Sequence, residues 1–135
     1  MMADSINTGK MKILIVDDEQ VILSLLSKIL GKAGFACDRA LNGEEALGLL
    51  RRGTYRAAII DFQLQKMTGL ELISQIKKDP KNRDLYIILM SGSFPDNLFP
   101  GIESSTDIDE FMQKPIQSKA LLERLRILTG GRERS

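Results

Sequence analysis

The sequence predicts an α/β fold, with a doubly wound sheet of five parallel strands. Short apolar runs alternate along the chain with stretches whose apolar residues recur at helical spacing, which is typical of parallel strands joined by crossover helices. Most of the runs also lack polar alternation, as strands covered by helices on both faces should. Five segments are therefore predicted to be strands, of which the second is the weakest: 11–16, 35–40, 55–60, 85–90 and 108–112.

Capping residues mark the ends of the first two predicted helices. The first helix carries apolar residues at helical spacing between positions 21 and 33, and Gly34 is a suitable end for it. Asn42 is a predicted N-cap for the second helix, because its side chain can accept a hydrogen bond from the first turn. That helix has two glutamates in its first turn and ends at Gly53.

The third predicted helix opens with a capping box at 68–71 (TGLE) and stops before Pro80. Three of its residues are predicted to face the core: Leu70, Ile73 and Ile76. A last helix is predicted to begin with Ser118 as its N-cap. One side of this helix carries four leucines: Leu121, Leu122, Leu125 and Leu128.

The segment 93–106 departs from the alternating pattern. It should hold a helix between strands 4 and 5, but Pro100 and Gly101 fall in its middle. Proline in a helix interior costs about 3 kcal/mol, because it removes a hydrogen bond and clashes with the preceding turn. We therefore expect an atypical fourth helix that is short, shifted or absent.

Length and composition narrow the possible classes of protein. A chain of 135 residues predicts one domain at 11–129, between a disordered leader at 1–10 and a frayed tail at 130–135. The net charge of +1, from 19 basic and 18 acidic residues, gives no basis for direct binding of nucleic acid. Membrane insertion is not expected, because no apolar run approaches the ~20 residues of a membrane span.

Two residue types restrict the chemistry further. Cys37 is the only cysteine, so no internal disulfide can form and a reducing, cytoplasmic setting is predicted. The chain contains no histidine. It therefore cannot use Ser-His-Asp or Cys-His catalysis, and any phosphohistidine that it meets must belong to another molecule.

Polar residues follow four of the predicted strands. They are Asp17 and Asp18 after strand 1, Asp61 after strand 3, Ser91 after strand 4 and Lys114 after strand 5. The predicted strand order, 2-1-3-4-5, makes strands 1 and 3 neighbours at the crevice where such sheets bind ligands. Three carboxylates should therefore meet there, flanked by an ammonium group and a hydroxyl.

Three adjacent carboxylates repel one another unless a cation lies among them. Oxygen ligands without histidine or cysteine favour a hard ion such as Mg²⁺ or Mn²⁺. One carboxylate can then act as a nucleophile toward phosphorus, while Lys114 and Ser91 stabilise the phosphoryl oxygens. The pattern therefore predicts phosphoryl transfer onto an aspartate.

The chain resembles the receiver domain of bacterial two-component response regulators. Four segments carry the resemblance: 15–19 (IVDDE), 61–69 (DFQLQKMTG), 90–92 (MSG) and 111–115 (FMQKP). Each segment alone is common, but their order and spacing are specific, and the resemblance runs from about residue 12 to residue 128. It implies a flavodoxin-like receiver fold and a role in phosphorelay signalling, in which phosphorylation switches a protein-interaction face.

The resemblance also assigns the phosphoryl and metal ligands. It implies that Asp61 accepts the phosphoryl group from a phosphohistidine of a sensor histidine kinase or phosphotransfer protein. Asp17, Asp18, Asp61 and the backbone carbonyl of Gln63 are then the ligands of Mg²⁺ or Mn²⁺. Slow hydrolysis of its own aspartyl phosphate is the only turnover expected, so the chain is not predicted to be an enzyme otherwise.

The remaining implied roles concern the switch. Lys114 binds a phosphoryl oxygen, Ser91 moves toward the phosphoryl group, and Phe111 is the aromatic side chain that follows it inward, changing the face offered to a downstream protein target. The bond between Lys114 and Pro115 is often cis in this family. Gln65 departs from the family pattern, because the loop after the phosphoacceptor usually has proline there, and a less rigid loop is expected.

Other interpretations remain open from the sequence alone. Asp17 and Asp18 also suit a turn and helix cap, and Lys114 could be a solvated surface lysine. Ser91 also fits a plain turn, and Phe111 a core aromatic. The alternative function is a pseudo-receiver, an interaction module that is not phosphorylated. A metal-dependent phosphatase fits less well, because such enzymes usually have a second aspartate where this chain has Glu19.

Overall fold

The computed structural model describes residues 12–92 and 107–134. The strands in these ranges are β1 (Lys12–Val16), β2 (Ala36–Ala40), β3 (Ala57–Asp61), β4 (Tyr86–Ser91) and β5 (Glu110–Gln113). The helices are α1 (Gln20–Lys32), α2 (Gly43–Arg52), α3 (Gly69–Lys78) and α4 (Ser118–Arg134), with a 3₁₀ turn at Pro80–Asn82. None of the helices in the described ranges has the length and apolar character needed to cross a lipid bilayer.

The five strands form one sheet in the order β2-β1-β3-β4-β5, and every neighbouring pair is parallel. This confirms the predicted strand order. Alternate residues of the central strands face opposite sides of the sheet, and each side is covered by a pair of helices. One apolar cluster includes residues of α2 and α3, and the other includes residues of α1 and α4. Apart from the polar residues at their ends, the central strands are apolar, as strands with both faces buried should be.

The boundaries of the first three helices follow the predicted capping signals. The prediction of Ser118 as an N-cap is wrong, because α4 already includes Ser118 and the N–H of Leu121 donates to the carbonyl of Gln117 at 3.0 Å. Gly34 has a φ of 98°, and its position after α1 lets the N–H of Phe35 donate to the carbonyl of Leu30 at 3.0 Å. The Asn42 side chain accepts from the N–H of Glu45 at 2.9 Å and so caps α2. The predicted capping box of α3 is also present, between Thr68 and Glu71. The peptide bond between Lys114 and Pro115 is cis.

Several details of the helices differ from the sequence prediction. In α3 the buried leucine is Leu72, whereas Leu70 is half-buried, because the inward stripe runs through Leu72, Ile73 and Ile76 and leaves Leu70 at its edge. Leu122 of α4 is likewise only half-buried. That helix spans Ser118–Arg134, and the frayed tail expected from residue 130 stays a prediction.

Two predicted features lie outside the described residues. They are the disordered leader at 1–10 and the atypical fourth helix at 93–106.

Candidate functional site

The acidic residues that follow β1 and end β3 lie side by side at the carboxyl end of the sheet. Asp17 comes directly after β1, and its N–H donates to the carbonyl of Ala40 at 3.1 Å. Asp61 is the last residue of the neighbouring strand, and the N–H of Phe62 donates to the carbonyl of Met90 at 2.8 Å. Sheet hydrogen bonds therefore hold the backbone of both acids, because the ladder extends to Asp17 itself and to the residue after Asp61.

Three carboxylates meet at this edge, as the strand order predicts. Asp17, Asp18 and Asp61 each offer an oxygen, and these oxygens all lie within 4.8 Å of one another. Asp17 is fully buried and Asp61 is 4% exposed, whereas Asp18 is half-buried. Burial removes the water that would otherwise weaken the repulsion between these acids, so the site requires positive charge.

Lys114 supplies one positive charge. Its Nζ lies 2.9 Å from Oδ2 of Asp17 and 3.3 Å from Oδ2 of Asp61, and its side chain is 19% exposed. The N–H of Lys114 donates to the carbonyl of Ser91 at 2.8 Å, which attaches this residue to the end of β4. The interpretation of Lys114 as a solvated surface lysine is therefore wrong.

The pKa values of Lys114 and Asp61 reflect this pairing. Burial alone would lower the pKa of Lys114, but the hydrogen bond to Asp17 and the charge of Asp61 outweigh it and raise the pKa. Burial, together with the charge of Asp17, raises the pKa of Asp61 to about 6, against the opposing effects of Lys114 and of a hydrogen bond from the N–H of Gln63. Without a further cation, protons therefore compete for Asp61 near neutral pH.

The two oxygens of Asp17 have different partners. Its Oδ1 accepts from the N–H of Glu19 at 2.9 Å, just before α1, while its Oδ2 faces Lys114. Glu19 is a residue of the site to which the sequence analysis assigned no role. Its Oε1 lies 3.9 Å from Nζ of Lys114, although its side chain is 65% exposed. The run of three acids at 17–19 is the signal that could have drawn attention to it.

The three other predicted site residues lie around this cluster. Ser91 is buried at the end of β4. Phe111 is half-buried, pairs with Leu89 across β4 and β5, and packs against the apolar cluster that α2 and α3 share. Gln63 is exposed, and its N–H is the group that reaches Asp61. The switching roles predicted for Ser91 and Phe111 stay predictions.

The donor set at this edge fits a hard divalent cation. Three carboxylates and one ammonium group leave two negative charges, which a divalent cation would neutralise. Carboxylate oxygens are the ligands that Mg²⁺ and Mn²⁺ prefer. The chain has no histidine, and Cys37 lies on β2 opposite Ile13, near the other end of the sheet. Softer metals therefore find no matching ligands here.

Comparisons with known proteins agree with this geometry. The family model described as "Response regulator receiver domain" matches residues 13–126. The chain is 31% identical over 118 residues to the two-component response regulator PhoP of Pseudomonas aeruginosa, covering 87% of this chain and 51% of that protein. It is also 31% identical over 121 residues to the transcriptional regulatory protein ResD of Bacillus subtilis, covering 90% of this chain and 49% of that protein. The chain thus spans about half the length of these relatives.

Among solved structures, the response regulator protein TrrA of Thermotoga maritima, in complex with Mg²⁺-BeF, is 35% identical with a TM-score of 0.75. The match covers 87% of this chain and 98% of that chain.

Proposed function

Because the chain belongs to the response regulator receiver domain family, a family of phosphoacceptors in two-component signalling, we propose that Asp61 is its phosphoacceptor. The observation that carries the assignment is the carboxylate of Asp61, 3.3 Å from the ammonium group of Lys114 and adjacent to two further acids. Asp17 is a poorer candidate, because it is fully buried and its two oxygens already face the N–H of Glu19 and Lys114.

The proposed reaction is attack by an oxygen of Asp61 on the phosphorus of a partner's phosphohistidine. The new phosphorus–oxygen bond forms as the phosphorus–nitrogen bond breaks, and the product is an acyl phosphate. The imidazole leaves with the electron pair of the broken bond and takes up a proton from solvent. A sensor histidine kinase or phosphotransfer protein would be the donor.

Lys114 would stabilise the phosphoryl group as it arrives. Its ammonium group already lies between Asp17 and Asp61, so little reorganisation is needed for it to donate to a phosphoryl oxygen. The raised pKa of Lys114 keeps this donor protonated at neutral pH.

The side chains of Asp17, Asp18 and Asp61, with the backbone carbonyl of Gln63, would hold Mg²⁺ or Mn²⁺. When bound, the divalent cation offsets negative charge on the carboxylates and on the phosphoryl oxygens. The Gln63 N–H, which donates to Asp61, and Lys114 both favour the ionised form of Asp61, which is the form that attacks phosphorus.

We propose that Ser91 and Phe111 transmit the change. Ser91 would donate a hydrogen bond from its hydroxyl to a phosphoryl oxygen, and Phe111 would move inward after it. Two observations support this: Ser91 ends the strand next to Asp61, and Phe111 is only half-buried. The altered β4–β5 surface would then favour a downstream protein target.

Intact mass spectrometry tests the proposal. The protein is incubated with a small acyl phosphate, with and without Mg²⁺, beside Asp61→Asn and the control Asp84→Asn, an exposed acid that precedes β4. We expect one added phosphoryl group in the wild type and in Asp84→Asn, dependent on Mg²⁺, and none in Asp61→Asn.

Two results would overturn this assignment. Labelling of Asp61→Asn would identify a different acceptor. Absence of any adduct, together with no binding of beryllofluoride, would favour the pseudo-receiver alternative.

A further inference from the structure

Gly69 lies against the backbone of the phosphoacceptor. It is the first residue of α3 and is buried, and its N–H donates to the carbonyl of Phe62 at 2.7 Å. A methyl group at this position would overlap the carbonyl oxygen of Asp61 and lie 3.0 Å from Cα of Phe62. These are backbone atoms that cannot rotate away, so any side chain at Gly69 must displace the start of α3 or the end of β3.

Gly43 lies against the loop that precedes Gly69, residues 62–68. It is the buried first residue of α2, and a methyl group there would lie 2.6 Å from Sδ and 3.1 Å from Cε of Met67. Methionine is flexible and can adjust in part. The start of α2 cannot easily yield, because Asn42 and Glu45 fix it with two side-chain hydrogen bonds.

The loop 62–68, which packs against both glycines, contains Gln63, whose N–H donates to the carboxylate of Asp61. Its start is attached to β4 through the bond from Phe62 to Met90. Gln65 leaves the backbone of this loop less restricted than a proline would. The conformation of the loop therefore depends more on the packing at its two ends.

We infer that Gly69 and Gly43 are positioning residues for the site. Their missing side chains let the loop 62–68 close against β3 and α2, which sets the carboxylate of Asp61 and the carbonyl of Gln63. Neither glycine is among the proposed ligands of the phosphoryl group or the cation. The inference rests on the proposed function, because the geometry that it explains is that of the proposed phosphoacceptor site.

Three alanine variants test the inference: Gly69→Ala, Gly43→Ala and the control Gly48→Ala. The control adds the same methyl group within α2, where it would meet only the end of the Arg52 side chain at 3.5 Å. For each variant we would measure urea unfolding, Mg²⁺ affinity by calorimetry, the rate of phosphorylation by intact mass, and amide chemical shifts of the metal-free protein.

The expected losses follow what each methyl group would meet. Gly69→Ala should lower both the Mg²⁺ affinity and the phosphorylation rate by about tenfold or more, because the backbone that positions Asp61 and Gln63 is displaced. Gly43→Ala should lower both by about threefold, because the Met67 side chain absorbs part of the shift. Gly48→Ala should stay within about twofold of the wild type, because its methyl group makes an ordinary contact.

A folded Gly69→Ala with wild-type Mg²⁺ affinity and rate overturns the inference. So does a loss of stability after which the remaining folded molecules behave as the wild type. If Gly69→Ala does not fold, Gly43→Ala decides: values equal to those of Gly48→Ala overturn the inference.

Failure of the proposed function has a separate signature, which is a wild type that neither binds Mg²⁺ nor gains a phosphoryl group. In that case the amide shifts of residues 61–63 decide the positioning role. Changes in Gly69→Ala that are absent from Gly48→Ala support the role, and unchanged shifts overturn it.

Discussion

The two ends of the sheet differ in how their charged side chains are paired. At the carboxyl end, Asp17 and Asp61 are buried acids that share the ammonium group of Lys114, and a third acid lies within 4.8 Å. At the amino end, the ammonium group of Lys77 donates to three backbone carbonyls, which belong to Asn82, Arg83 and Leu85, at 3.2, 3.1 and 2.9 Å. Acid is in excess at the first end, whereas the ammonium group of Lys77 at the second end has three acceptors.

Further contacts at the amino end follow the same principle. Nζ of Lys81 donates to the carbonyl of Leu50 at 2.7 Å, in the last turn of α2, where a positive charge also suits the helix dipole. The Asn82 amide donates to the carbonyl of Ile76 at 3.1 Å and so satisfies the end of α3. These side chains join α2, α3 and the turn before β4.

The amino end of the sheet contributes to stability, whereas the carboxyl end carries the proposed phosphoryl chemistry. Paired polar groups at the amino end stabilise the fold, whereas the acids at the carboxyl end, which Lys114 compensates only in part, destabilise it until a cation or a proton binds. Four predictions sharpen this contrast, and each could break it.

The largest effect is expected for Lys114→Met. Phosphorylation should slow by about 100-fold, because a donor to the phosphoryl oxygens is lost. The free energy of unfolding of the metal-free protein should also fall, by about 2 kcal/mol, because two buried acids lose their partner. Lys119→Met, an exposed lysine of α4, is the control. Intact-mass kinetics that match those of the control would remove Lys114 from the proposed site.

Lys77→Met should affect stability alone. The free energy of unfolding should fall by about 2 kcal/mol, because three carbonyls lose a charged donor, while the phosphorylation rate stays unchanged. The adjacent exposed residue gives the control Lys78→Met, which should leave both quantities unchanged. Urea unfolding and intact-mass kinetics measure the two effects. Slower phosphorylation in Lys77→Met would mean that the two ends are not separable.

The pH dependence of stability should depend on Asp61. Burial and Asp17 raise its pKa from 3.8 to about 6, so the native state binds this proton more tightly than the unfolded state does. The contribution of Asp61 to the free energy of unfolding therefore rises as the pH falls from 7 through 6 toward 3.8. The metal-free protein should gain about 1 kcal/mol from Asp61 between pH 7 and pH 5.

Asp61→Asn isolates that contribution, because the other titrating groups are common to both proteins. Urea unfolding at several pH values, without metal, would give the difference. Identical pH profiles for the two proteins would show that Asp61 ionises in the native state as it does in the unfolded chain.

The smallest effect is expected for Lys66→Gly, in the loop beside the site. Lys66 has a φ of 75°, a conformation that is costly for a residue with a side chain. Glycine should raise the free energy of unfolding by about 0.5 kcal/mol, the relief being partly offset by its greater freedom in the unfolded chain. Thermal unfolding measures the change, with Gln75→Gly, at an exposed position inside α3, expected to destabilise. A loss of stability in Lys66→Gly would contradict the inference that the positive φ of Lys66 is strained.

The local features of this protein could be predicted from the sequence because each depends on a few neighbouring residues. The caps at Asn42 and Thr68 are formed with residues three positions later, and the glycine that ends α1 is equally local. The convergence of Asp17 and Asp61 was also predictable, because the ends of adjacent parallel strands share one edge of the sheet.

Only the tertiary structure decided the distances between the site residues and the partners of the charged side chains. That Lys114 lies between two acids, that Lys77 reaches three carbonyls, and that Gly69 lies against Asp61 all depend on where separate segments meet. A side chain's type and its spacing define what it can bind, whereas its burial and its partner depend on packing between segments that lie far apart in the chain. The sequence therefore determined the kind of site, and the packing determined its geometry.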